Sequence, residues 1–296
     1  MQVTRLVQPL LPLCRRLLPD RPPALSVTLL KATALDIAIL AGHLLLYPSG
    51  ITPERRGEAA PALPATGGAE DPARLPARPL PPVVLLHGFI DNRSVFVLLR
   101  RSLAQHGRHR VESLNYSPLT CDIRIAAELL GRHIEEICER TGSDRVDVVG
   151  HSLGGLIARY YAQRLGGDAR VRTLVTLGTP HSGTRVARLA NAHPIVRQMR
   201  PGSAVIEELS RPAPGCRTRF VSFWSDLDHL MDPLETARID HPDLLTENVR
   251  VSGIGHLALT VHPAVATGIR QALDDEGTGR TTLSPTAGHA DGLTVA

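Results

Sequence analysis

The segment Gly150-His151-Ser152-Leu153-Gly154-Gly155 holds a serine between small residues, with an apolar run before it and a helical pattern after it. A tight strand-to-helix turn would push the Ser152 hydroxyl above the carboxyl end of the strand, while the flanking glycines let neighbouring backbones approach. A serine hydroxyl is a weak nucleophile until a base takes its proton, and that base needs a carboxylate to orient it. His256, in Gly253-Ile254-Gly255-His256-Leu257, follows an expected strand and is the best-placed base. His262 is the weaker candidate. Three acids compete for the carboxylate, Asp226, Asp228 and Asp232, and Asp228 is favoured. The order Ser, Asp, His along the chain is the one found where a strand-to-helix turn carries the serine. Oxyanion donors are expected from the N–H groups of Leu153, just after the nucleophile, and Phe89, in His87-Gly88-Phe89 after the first clear strand. His87 is expected to order that loop, and Asp91 and Asn92 to form a turn. His151 and Met199 are expected beside the substrate. His181 and His229 read as loop residues.

These residues need a scaffold that brings strand ends to one rim. Val83–Leu86, Val111–Asn115, Arg145–Val149, Val171–Leu177, Arg219–Phe223 and Asn248–Val251 read as strands. Apolar runs without alternation suit strands buried on both faces. Between them lie helical patterns over Asp122–Arg140, from Ser152 towards Leu165, and over about Pro263–Leu273. In the first, Ile123, Ala127, Leu130, Ile134, Ile137 and Cys138 share a face. Strands alternating with helices imply an α/β architecture, a mostly parallel sheet with helices on both faces and the site at the strands' carboxyl ends.

Four segments follow: an apolar and basic stretch at 1–50, a Pro/Ala/Gly-rich linker at 51–80, a catalytic domain at 81–274, and a tail at 275–296 expected to be disordered. Within the domain, 185–216 is longer than a plain crossover. Its apolar side (Val186, Leu189, Ile195, Val196, Met199, Val205, Ile206, Leu209) suits either a small cap over the site or a packing helix with a long loop.

Ala24–Leu46 carries eleven Leu, Ile or Val residues, worth roughly −3 to −7 kcal/mol towards insertion, against about +5 to +7 kcal/mol for Lys31 and Asp36. The two nearly cancel, so a docked, membrane-surface or spanning helix is left open. A cleaved signal peptide is disfavoured by the late start and the interrupting charges. Membrane association or export is favoured over a cytoplasmic location.

The formal charge of +4 rests on scattered arginines with Lys31 the single lysine, and no nucleic-acid motif accompanies it. No partner of that kind is expected. The four cysteines form no CxxC pair and suit no zinc site. Cys138 reads as core, and a Cys121–Cys216 disulfide is open if the domain is exported. Aromatics are only 3% of residues, so the core must rest on Leu, Val, Ile and Ala.

With these residues in view, the chain resembles bacterial lipases and esterases of the α/β-hydrolase superfamily. The resemblance lies in the HGF loop after Val83–Leu86, GHSLGG, the LVTLGTPHSGT segment (Leu174–Thr184), Ser225-x-x-Asp228 and GIGHLAL around His256. It implies an α/β-hydrolase fold and a carboxylic-ester hydrolase acting on a lipid or small ester, with an acyltransferase or thioesterase as the alternative. It also implies that the Gly178-Thr179-Pro180-His181 turn walls the nucleophile. Calcium ligands known in similar lipases find no match here, so no metal or other cofactor is expected.

Overall fold

The computed structural model describes residues 27–51, 80–89, 91–116, 122–188, 193–275 and 293–294. The linker expected at 51–80 lies almost wholly outside them.

Seven strands form one parallel sheet: β1 (Val83–Leu86), β2 (Val111–Leu114), β3 (Val146–His151), β4 (Val171–Leu177), β5 (Arg219–Ser225), β6 (Leu245–Ser252) and β7 (Leu293–Thr294). Their order across the sheet is β2-β1-β3-β4-β5-β6-β7. β1 is flanked in register by both neighbours, Val83 opposite Val111 and Val84 opposite Val148. Alternate residues of each strand feed opposite faces, and two separate cores result. On one face Val84, Leu86, Val148, Leu174 and Phe220 pack with helices α3 (Ile123–Thr141) and α4 (Leu153–Arg164). On the other Val83, Leu85, Val149, Val175 and Val221 pack with α2 (Val97–Gln105) and α7 (Pro263–Asp274). The expected layering is therefore present, and each expected strand and helix appears, with ends moved by three residues or fewer.

Local chemistry sets the helix ends. Asp122 starts α3 by accepting the Arg124 N–H at 2.7 Å, and Gly142 ends it in the left-handed conformation at φ 67°. At the amino ends of the strands, fully buried Asp147 is held by Arg108 at 3.1 Å and Arg172 at 2.7 Å. Arg108 and Arg172 both also donate to the Leu273 carbonyl, which ties the end of α7 to the sheet.

The stretch 185–216 contains a 3-10 turn at Arg185–Arg188 and two short helices, α5 (Pro194–Gln198) and α6 (Ala204–Ser210). Ile195, Val196, Met199, Val205, Ile206 and Leu209 are buried in the same core as α3 and α4. These side chains pack inward on the domain. Apolar side chains so close to an uncovered helix face gain more by joining that core than by facing solvent.

Near the amino end, α1 (Val27–Ile51) is a 25-residue helix laid against the domain. Its carboxyl end is held by polar bonds: Asn92 Nδ2 donates to Tyr47 O at 2.8 Å, Asn115 Nδ2 to Gly50 O at 2.6 Å and Arg93 Nη2 to Ser49 O at 3.1 Å. Its outer side leaves Val27, Leu30, Ile37, Leu44 and Leu45 exposed.

In the terminal stretch expected to be structureless, Leu293 and Thr294 pair with Val251 and Ser252. The free backbone edge of β6 accepts even a short strand. Cys138 is a buried free thiol; Cys216 is free and half-buried, and Cys121 lies outside the described residues.

Candidate active site

Ser152 sits between β3 and α4 with φ 52° and ψ −118°. It is the one non-glycine residue at positive φ among the described residues. Such a conformation costs about 1–3 kcal/mol and persists only where the surroundings enforce it. They do so here: the Ser152 N–H donates to Leu177 O at 2.9 Å, and Thr179 Oγ1 donates to Ser152 O at 3.0 Å. A side chain at Gly154 would collide with the Leu86 and His87 carbonyls, and one at Gly155 with Thr179. The glycines let α4 press against β1 and the turn after β4. The Thr179 turn thus walls the serine, as the resemblance implied.

Asp228 follows β5 and His256 follows β6. The His256 Nδ1–H donates to Asp228 Oδ2 at 2.7 Å, and both side chains are buried. Asp228 Oδ1 also accepts the Leu230 N–H at 3.0 Å. Ser225, three residues before Asp228, donates from Oγ to the Ile254 carbonyl at 2.5 Å, locking the two loops together. Gly178 leaves the room that pair occupies: a Cβ there would lie 2.8 Å from Asp228 Oδ2 and 2.9 Å from His256 Nδ1.

Burial pulls the His256 pKa down. The Asp228 charge and hydrogen bond outweigh it, Asp36 and Asp91 add to them, and the net direction is up. His151 precedes Ser152, and its ring lies 4.6 Å from that of His256, centroid to centroid. Ser152 thus follows directly on a residue packed against His256, and its hydroxyl makes no hydrogen bond to that ring.

The competing acids have structural work. Asp226 accepts from Arg250 at 2.9 Å and from the Gly253 N–H at 3.1 Å. Asp232 stands 3.7 Å from Arg185 at the surface. His262 caps α7. His181 is buried with Nε2 2.9 Å from Thr176 Oγ1, and His229 is exposed.

For the oxyanion, Leu153 opens α4, where backbone N–H groups lack intrahelical acceptors. Phe89 follows Gly88, and its ring meets His193 edge-on at 4.9 Å. His87 does order its loop: the ring stacks on Tyr116 at 4.4 Å, and Tyr116 Oη donates to His87 O at 2.5 Å. Asn92 forms the expected turn, accepting the Ser94 N–H at 2.9 Å.

Three expectations need amendment. His151 is buried, and burial together with the His256 charge lowers its pKa to about 3, so it packs as a neutral ring against His256. Met199 is buried in the core instead of facing a substrate surface. Asp91 is more than a turn residue: it is buried with Oδ1 3.6 Å from His43 Nδ1 and Oδ2 3.8 Å from His151 Nδ1.

Sequence reasoning also missed Asp36, counted only as a charge within an apolar helix, and His43. Asp36 Oδ1 accepts the Ala258 N–H at 3.0 Å, beside His256. Their spacing carried a signal, since polar residues seven apart in an apolar helix share one face. Among the described residues, no cluster of three His, Cys, Asp or Glu suited to a metal occurs.

Residues 81–209 match the family described as alpha/beta hydrolase fold. Triacylglycerol lipases of Pseudarthrobacter phenanthrenivorans and Burkholderia plantarii are each 31% identical over 114 residues, 36% of this chain. The aligned stretch spans only 35% and 31% of those two proteins. Among solved structures, Aspergillus fumigatus lipase B is similar at TM-score 0.60 and 19% identity, over 80% of this chain and 68% of that one. The mature Bacillus licheniformis lipase BlEst2 is similar at TM-score 0.56 and 17% identity, over 69% of this chain and 96% of that one. The match and the all-parallel sheet agree: the chain has the α/β-hydrolase fold.

Proposed function

We propose that this α/β-hydrolase-fold chain is a serine carboxylic-ester hydrolase acting on lipid esters through an acyl-enzyme. The observation that carries the reading is the buried Asp228–His256 hydrogen bond beside a serine held at positive φ. Each feature carries a cost to the fold. A strained serine costs stability, and a buried carboxylate and imidazole cost desolvation.

In the proposed mechanism Asp228 holds His256 with its proton on Nδ1, leaving Nε2 to accept one. As Ser152 Oγ attacks the ester carbonyl, its proton passes to His256 Nε2, and Asp228 stabilises the imidazolium. The Phe89 and Leu153 N–H groups receive the oxyanion, each worth roughly 3–4 kcal/mol by comparison with similar donors. His256 then protonates the leaving alcohol, and water repeats the sequence on the acyl-serine. Resting hydrolase sites often hold nucleophile and base loosely and tighten with substrate bound, which accommodates the missing Ser152–His256 bond.

Support for a lipid ester comes from the triacylglycerol lipases among the similar proteins and from α1. This helix is long and apolar enough to cross a membrane. Asp36 and His43 instead reach the catalytic domain, and the apolar side faces out. The placement we propose is a lipid surface with the helix lying in it.

Hydrolysis of p-nitrophenyl esters from C2 to C16, with Ser152→Ala as control, tests the reading. Turnover on chains of C8 or longer, abolished in the variant, is the expected result. Turnover retained in Ser152→Ala would refute the nucleophile. A folded protein inactive on the whole series, but transferring acyl groups to added alcohols or cleaving thioesters, would make the acceptor something other than water.

A further inference from the structure

We propose that α1 belongs to the catalytic apparatus: it straps the loop carrying His256 to the loop carrying Phe89, and Asp36 is the positioning residue that holds His256 in place. This rests on the hydrolase reading above.

The base sits at the head of a 3-10 turn, Leu257–Thr260, and is itself the N-cap residue. Its ring is committed to Asp228, so it makes no side-chain cap bond, and the turn opens with unsatisfied N–H groups. Asp36 Oδ1 accepts one of them, from Ala258 at 3.0 Å. A carboxylate at the start of such a turn also meets the positive end of the peptide dipoles. The cap comes from 222 residues away in sequence. The residue before the base is made for this approach: any side chain at Gly255 would collide with the Asp36 carboxylate.

Two turns later on the same face of α1, His43 Nδ1 lies 3.6 Å from Asp91 Oδ1. Asp91 follows the loop that contains Phe89, and α1 grips the next residues through the Asn92 and Arg93 bonds to its last carbonyls. Asp91 Oδ2 lies 3.8 Å from His151 Nδ1, and the His151 ring lies 4.6 Å from His256. The contacts form a closed circuit: base, Asp36, α1, His43, Asp91, His151, base. Within it the groups facing His256 are Asp228, Asp36, Asp91 and neutral His151, while His43 and His87 stand on Asp91. A helix outside the sheet thereby fixes the distance between the groups that must act together. Losses of this kind appear in kcat, because geometry at the reacting atoms and not ground-state binding is disturbed.

The test compares the full-length wild type with Asp36→Asn and Asp36→Ala. It reads kcat and KM on a p-nitrophenyl ester across pH and titrates the His256 imidazole by NMR, its signal assigned by loss in His256→Gln. The amide retains an acceptor for Ala258 but not the charge. Asp36→Asn is expected to keep kcat within about threefold and to lower the His256 pKa, the acid limb of kcat/KM moving with it. Asp36→Ala is expected to lower kcat about tenfold with KM nearly unchanged. Folded variants with wild-type kcat and an unmoved His256 titration would overturn the strap, even with Ser152→Ala inactive. If the wild type cleaves no ester, the hydrolase reading falls, and the His256 titration in Asp36→Asn still decides whether Asp36 acts on that imidazole.

Discussion

His256 Nδ1 donates to Asp228 Oδ2 at 2.7 Å between side chains that are 4% and 0% exposed. A buried carboxylate with a single imidazole partner fixes which ring nitrogen carries the proton. With the proton held on Nδ1, the His256 Nε2 is left as the acceptor.

Replacing Asp228 by Asn removes that control while preserving shape. The amide can present its N–H to the ring and stabilise the wrong tautomer. We expect kcat to fall about 10⁴-fold with little change in KM. Steady-state kinetics with circular dichroism as a folding control checks this. A loss under tenfold would place the acid elsewhere.

The direction of the His256 pKa fixes the sign of the pH dependence. Although burial opposes it, Asp228 above all raises the value over the ordinary 6.5. The base works unprotonated, so kcat/KM should rise with pH through a limb lying above 6.5. The same shift stabilises the fold below the ordinary histidine pKa, and that contribution is lost as pH rises through the folded value. A pH–rate profile with its limb below 6.5 would contradict the charge arrangement around the ring.

Asp147 at the foot of the sheet gives a stability prediction independent of catalysis. Removing it in Asp147→Ala leaves the buried Arg108 guanidinium without the partner it meets at 3.1 Å. Breaking one side of a buried ion pair costs about 3–5 kcal/mol. Arg108 keeps bonds to Leu273 O and Asp274, so the lower end is expected. Urea denaturation measures it.

Leu45 is 83% exposed on the outer side of α1. Leu45→Glu should weaken partition onto phosphatidylcholine vesicles about tenfold or more, from lost apolar burial. Turnover of a soluble short-chain ester should be unchanged. Vesicle co-sedimentation gives the answer, and an unaltered partition would remove α1 from the lipid surface.

The order Ser152, Asp228, His256 and the ends of the strands before them were legible in the sequence because each is a local matter. An apolar run of four to seven residues predicts a buried strand, and glycines beside the serine predict a tight turn. The choice of Asp228 over Asp226 and Asp232 was a preference from position. In the structure Asp226 meets the Gly253 N–H and Arg250, while Asp228 meets His256.

What depended on tertiary structure were the partnerships between distant segments. Met199 looks the same in sequence whether it faces an acyl chain or a core; only the neighbouring α4 surface decides. Asp36 reads as a cost within an apolar helix and His43 carries no signal of its own, because their partners, Ala258 and Asp91, are set by how α1 lies across two loops. Local pattern reports the conformation of a few residues and the face they bury. A carboxylate's effect depends on which groups stand within a few ångströms of it, and for Asp36 those groups are more than two hundred residues away.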